Sequence, residues 1–226
     1  MKQEKSQLLE SVIIIMVVIT WFIGGWAYAF APDIVPIHWN IEGKPDNFAS
    51  KDIGLFLLPI INTGLFFFLL VIPKIDPNNE QLKQSIRSFQ WIRFGTHALL
   101  ACIMAWTTLS IVDSILVKPE WIFAIVSLFF AFLGRVMAHV KQNYFVGIRT
   151  PWTLNNEKVW DDTHHFTSPL WFYSGIGMGI MQVILSKFGL GPEVLLAVFL
   201  VWIGIIVIIP IFYSYVRYQQ EKKSIQ

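Results

Sequence analysis

The chain is 226 residues long, 55% apolar and only 14% charged, with a formal net charge of +2 and a mean hydropathy of +0.57. Soluble domains carry about a quarter charged residues, so this composition excludes an ordinary water-soluble globule. The small net charge, with no basic stripe, excludes direct nucleic-acid binding, and the single cysteine, Cys102, excludes a disulfide framework or a thiolate metal cage.

A hydrocarbon core about 30 Å thick is crossed by roughly 20 apolar helical residues. In chain order, apolar runs of that kind fall at 12–31, 54–72, 94–112, 121–140, 170–185 and 194–215. Lipid offers no partner to backbone N–H and C=O groups, so each span is expected to be helical. Their continuous apolar character is unlike the alternation of an outer-membrane barrel. The expected fold is therefore an all-α, polytopic bundle of six transmembrane helices forming a single membrane domain. The fifth span is the shortest. The first has the basic flank and small-residue pattern of a signal peptide, but its length and its Trp21 and Trp26 favour a retained helix.

Orientation follows from the basic residues. With the N-terminus inside, the cytoplasmic segments and their flanks hold 13 Lys and Arg, Arg93 among them as a charge of the second connection, and the outer ones hold four, Lys44, Lys51, Lys118 and Lys187. Both termini are thus expected to be cytoplasmic, in a plasma membrane. Tyr213, Tyr215 and Tyr218 suit the inner interface, and Trp26 and Trp121 the outer one. Asp113 closes the third span.

Two connections are longer than a turn requires. The outer loop, 32–53, has helix-stopping Pro32 and Pro36 and turn-forming Gly43 and Pro45, around which lie His38, Trp39, Glu42, Lys44 and Asp46. An imidazole, an indole and mixed charge on such a loop suit contact with a peptide; a structural cap on the membrane surface would also account for them. The inner segment, 141–169, contains Asn143, Gly147, Arg149, Thr150, Pro151, Trp152 and Trp160. Gly147 permits a tight bend, and Pro151 forces Thr150 out of helical geometry. Asn155 is expected to cap a short interfacial helix leading into the fifth span, with Glu157 in its first turn.

Ionisable groups within spans are functional suspects because hydrocarbon disfavours them unless they are paired or hydrated. His97 lies near the start of the third span, and Arg135 and His139 share one face of the fourth. Snorkelling to the inner interface explains the latter two; pairing with Asp161 or Asp162 is the alternative. Asn62 and Gln182 suit interhelical hydrogen bonds, and Gly175 and Gly179 a close helix contact. Among Asp161, Asp162, His164 and His165, Asp161 and His165 are one helical turn apart and resemble a metal-ligand pair, but no third ligand has a fitting spacing, so neither metal nor cofactor is expected. There is no H-E-x-x-H, G-x-S-x-G or P-loop, and hence no catalytic set and no expectation of an enzyme.

The outer P-x-x-x-P-I-H-W-N-x-x-G-K-P-D-x-F, together with the inner N-x-x-x-G-I-R-T-P-W-T-L-x-x-E-x-V-W, resembles the SdpI family of bacterial immunity membrane proteins, including the domain of unknown function common at their N-termini. His165 stands where that family commonly has a basic residue. The resemblance implies a six-span protein of the bacterial cell membrane, set in membrane lipid, that protects its cell from a toxic secreted peptide outside. It also implies signalling to a cytoplasmic transcriptional repressor. In that reading His38, Trp39, Glu42, Lys44 and Asp46 meet the toxin, and the 143–160 residues named above form the inner contact. A small-solute transporter or exporter, with His97, Arg135 and His139 lining a polar route, is the alternative; a metal-dependent membrane enzyme is a second.

Overall fold

The computed structural model describes residues 2–112, 118 and 120–224, without the side chains of 2–5, 79 and 120; Asp113 lies outside the described residues. The chain forms helix α1 (Lys2–Tyr28), strands β1 (Ile34–Trp39) and β2 (Pro45–Ser50), and helices α2 (Lys51–Ile75), α3 (Asn79–Gln84) and α4 (Ile86–Val112). It continues as α5 (Glu120–Met137), α6 (Pro151–Asn155), α7 (Glu157–Lys187) and α8 (Pro192–Ser224). Helices α1, α2, α4, α7 and α8 contain stretches long and apolar enough to cross a membrane, and residues 121–137 of α5 form a shorter apolar helix.

The long helices form two groups, α1 with α2 and α4, and α5 with α7 and α8, joined where α4 packs on α5. Phe22, Tyr173, Val201 and Phe212 point outward and are exposed, a distribution suited to lipid rather than water on that surface. Each group has its own interior. Met178, Phe199, Trp202 and Ile206 pack together in the second, and Trp171 Nε1–H donates across it to the Ile206 carbonyl at 2.9 Å.

The α5–α7 contact is the most extensive and depends on small residues. A Cβ on Gly175 would lie 2.6 Å from the Ser127 carbonyl oxygen and 2.7 Å from the Ala131 nitrogen, so the two backbones touch there. At Gly179 the same Cβ would meet only ordinary contacts, 3.6 Å from Leu128. Asn62 and Gln182 bridge helices: Asn62 is fully buried against His97, and Gln182 donates to the Leu195 carbonyl at 3.1 Å.

Three features differ from the sequence reading. The shortest long helix is α5, about 27 Å at 1.5 Å per residue over its 18 residues; the fifth span instead lies within the 31-residue α7, which runs unbroken through Pro169. The cap of α7 is Asn156, not Asn155: its side chain accepts the Val159 N–H at 3.0 Å, while Asn155 donates back to the Pro151 carbonyl and closes α6. The outer loop also contains paired strands. It is an antiparallel hairpin, with Ile34 opposite Ser50 and Trp39 opposite Pro45 and irregularities around His38.

Candidate functional site

The bundle has two polar ends, and the long-range contacts assign each segment to one of them. One end holds long-range ion pairs, among them Glu10–Arg93 and Asp162–Arg217 between helices and Lys141–Asp161 between the chain before α6 and α7. The hairpin meets Trp106, Phe123, Pro192 and Leu196 at the other. The first end carries most of the basic residues, the bias expected of a cytoplasmic side, and is called the inner end.

At the outer end, local chemistry shapes the hairpin. Asn40 Oδ1 accepts the N–H groups of Glu42 and Lys44 at 3.0 and 2.9 Å, and Gly43 turns the chain at φ 72°, a conformation that disfavours side chains with a Cβ. Val35 is fully buried against Ala27, Ala31 and Leu55 and fixes the hairpin to the helices. His38 Nδ1 and Asp46 Oδ1 are 2.6 Å apart. Trp39 meets Trp106 edge-on, with ring centroids 5.2 Å apart. Together His38, Trp39 and Asp46 face Trp106, Phe123 and Leu196 across a cleft of about 610 Å³.

Glu42 and Lys44 pair at 2.9 Å on the exposed tip. Their hydrogen bond and mutual charge lower the Glu42 carboxyl pKa and raise that of the Lys44 ammonium. Of the outer residues named from sequence, three therefore line the cleft and two form a separate ion pair beside it.

At the inner end, the chain between α5 and α6 is bound almost entirely by side-chain-to-backbone hydrogen bonds. Asn143 is fully buried. Its Nδ2 donates to the carbonyls of Lys141 and Val146, both at 2.9 Å, and its Oδ1 accepts the N–H groups of Phe145 and Val146. Gln142 donates to the carbonyls of Thr153 and Leu154. Asp76, from the D-P-N-N turn, accepts Tyr144 N–H at 3.0 Å and Asn78 N–H at 2.7 Å. Buried backbone polar groups need such partners, and Asn143, Gln142 and Asp76 supply several of them.

Gly147 lies over the ring pair of Trp160 and His164, which stack with centroids 4.2 Å apart. Its φ is +128°, and a Cβ would fall 2.6 Å from His164 Nε2 and 2.7 Å from the Trp160 ring. Trp160 is fully buried, with its Nε1–H donating to the Val140 carbonyl at 2.7 Å. Thr150 caps α6 through a reciprocal bond pair with Thr153 and meets the Ser214 hydroxyl at 3.2 Å. Trp152 packs edge-on against Tyr215 at 5.1 Å. Ion pairs Lys141–Asp161 at 3.0 Å, Lys158–Glu221 at 2.7 Å and Arg217–Asp162 surround this platform.

The inner residues named from sequence therefore divide in two. Asn143, Thr150 and Trp160 are buried within the platform and Gly147 is pressed against it, whereas Arg149 and Pro151 are exposed and Trp152 half-buried. Arg149 donates to the Tyr144 carbonyl at 2.7 Å. Sequence reasoning missed Asp76, Gln142 and the neutral role of His164.

The intramembrane polar residues do not form one route. Arg135 is exposed on α5 and His139 is exposed in the turn just past its end at Met137, so they do not share a helix face; Arg135 lies over the Phe172 ring at 5.4 Å, and Asp161 and Asp162 pair elsewhere. His97 is fully buried in the other helix group, its Nδ1 2.6 Å from Asn62 Oδ1. One turn away Arg93, read from sequence as a loop charge, is buried and paired with Glu10 at 2.5 Å. Among the described residues no group of three His, Cys, Asp or Glu could hold a metal ion. Both nitrogens of His164 are committed to backbone groups.

Residues 139–214, which include the inner platform, α6, α7 and most of α8, match the SdpI/YfhL protein family. Residues 15–63, which include the hairpin, match a domain of unknown function, DUF1648. The chain is 25% identical over 187 residues to immunity protein SdpI of Bacillus subtilis (strain 168), covering 81% of this chain and 84% of that protein. No solved structure matches. The apolar helices and this similarity make the chain a multi-pass protein of the bacterial plasma membrane.

Proposed function

We propose that the protein is a membrane immunity protein that protects its cell from a toxic secreted peptide met at the outer face. The carrying observation is the similarity to an immunity protein across both the hairpin-bearing and the platform-bearing regions. The outer cleft supports the reading chemically. Its aromatic walls, Trp39, Trp106 and Phe123, suit an apolar peptide side chain, and the His38–Asp46 pair at its edge offers polar contacts. Residues of the hairpin and of helices from both groups line it, so a bound peptide would touch both halves of the bundle. At the inner end, exposed Arg149 and Pro151 beside Trp152 offer a contact for a cytoplasmic repressor.

The test is survival. A sensitive strain expressing the protein is challenged with secreted toxic peptides encoded beside its gene or produced by neighbouring strains. Protection is the expected result. Unchanged sensitivity to all of them, with the protein present in the membrane, would overturn the proposal.

A further inference from the structure

The cytoplasmic end of the first helix group holds a second cleft, of about 740 Å³, between the beginnings of α1 and α4. Its lining changes along the helices. Gln84, Arg87 and Gln90 lie at the mouth, whereas Leu9, Val12 and Phe94 lie further toward the membrane centre. Gln90 to Phe94 is about 6 Å of helix rise and Ser6 to Val12 about 9 Å, so the polar-to-apolar axis runs along the membrane normal. Trp91, on the same wall, is 36% exposed, at the depth where indole rings favour the interface.

Charge at the mouth narrows the occupant. Gln90 Nε2 is occupied by Ser6 Oγ at 2.7 Å and Glu10 Oε1 at 3.2 Å, and Glu10 is neutralised by Arg93. Arg87 is exposed and has no hydrogen-bond or ion-pair partner among the described residues. A cationic rim is thus left above an apolar slot, at the level of the cytoplasmic headgroups. A soluble anion would use the rim but not the slot, and a neutral apolar ligand the slot but not the rim.

We propose that this cleft binds one anionic phospholipid of the inner leaflet, with its phosphate beside Arg87 and an acyl chain along Val12 and Phe94. The site lies at the end of the bundle opposite the outer cleft and does not depend on the immunity reading.

Native mass spectrometry of the full-length protein tests this, comparing phosphatidylglycerol with phosphatidylcholine of identical chains. One basic residue near a charged membrane surface corresponds to about a fivefold preference for the anionic lipid. The wild type is expected to show it, Arg87→Gln to lose it, and Lys223→Gln, a charge change at the same end but outside the cleft, to keep it. Val12→Trp, which fills the slot, is expected to reduce retention of both lipids. Equal retention of the two lipids by the wild type would overturn the proposal, as would displacement of the lipid by millimolar inorganic phosphate, or a preference that survives Arg87→Gln. Wild-type retention by Val12→Trp would overturn it equally.

Discussion

The imidazole of His164 holds the inner segment by accepting the backbone N–H of Ile148 on Nε2 at 3.0 Å, while its Nδ1–H donates to the Trp160 carbonyl at 2.8 Å. A carbonyl only accepts, so Nδ1 carries the proton and Nε2 is a lone-pair acceptor. The histidine is therefore a neutral structural bracket between α7 and the chain that precedes α6.

Replacing that bracket should loosen the platform. His164→Phe keeps a ring beside Trp160 but leaves the Ile148 N–H without its acceptor, at a cost of about 1–3 kcal/mol. For a chain of this size each kcal/mol corresponds to about 2–4 °C in Tm, so thermal denaturation in detergent should show a drop of that order. Limited proteolysis should begin within 141–150. An unchanged Tm and cleavage pattern would show that the bracket carries no load.

Gly147→Ala attacks the same contact from the other side. The added methyl would meet His164 and Trp160 closer than side-chain carbons ever pack, at a φ of +128°. The backbone strain alone is worth about 1–3 kcal/mol. The variant should therefore lose more thermal stability than His164→Phe, read in the same assay. Gly177→Ala, which adds a Cβ where nothing lies within 4 Å, is the control and should match the wild type.

The spans were legible because apolar runs long enough to cross a bilayer have few other uses. Gly147 and Pro151 marked a bend for the same local reasons that the structure displays. What was not legible was long-range. Tyr144 finds its acceptor in Asp76, 68 residues earlier, and nothing local distinguishes such a carboxylate from any turn aspartate. Arg93 was counted among loop charges because charge counts carry no information about which way a side chain faces. The hairpin escaped notice because its strands lack regular apolar alternation, and only Val35 is driven fully inward. The exposure of Arg135 likewise depends on how α5 is rotated against α7, which the Gly175 contact sets.

The Glu10–Arg93 pair should behave as a buried ion pair. Arg93 is nearly inaccessible, its side chain 4% exposed against 28% for Glu10. Removing Glu10 alone leaves a buried guanidinium uncompensated, a loss of about 3–5 kcal/mol. Glu10→Leu should therefore reduce the amount of folded protein in the membrane more than the double replacement Glu10→Leu with Arg93→Met, in which neither charge remains. Size-exclusion profiles of the three proteins decide it. A double variant worse than Glu10→Leu would mean that Arg93 has other essential contacts, Phe66 under its guanidinium at 5.7 Å being the nearest aromatic partner.

Trp39→Ala separates recognition from folding at the outer end. Trp39 contacts Trp106 on one side and borders the cleft on the other, while the hairpin is anchored independently through Val35 and the Asn40 turn. Aromatic residues dominate binding energies where they are well packed, with truncation commonly costing more than about 2 kcal/mol at such positions. Protection against the cognate peptide should then fall by about thirtyfold in the concentration tolerated, with unchanged protein abundance and Tm. Breaking the exposed Glu42–Lys44 pair by Glu42→Gln should cost far less, since that pair lies on the tip and faces solvent. If Trp39→Ala and Glu42→Gln weaken protection equally without loss of protein, the peptide is read by the hairpin tip rather than by the cleft.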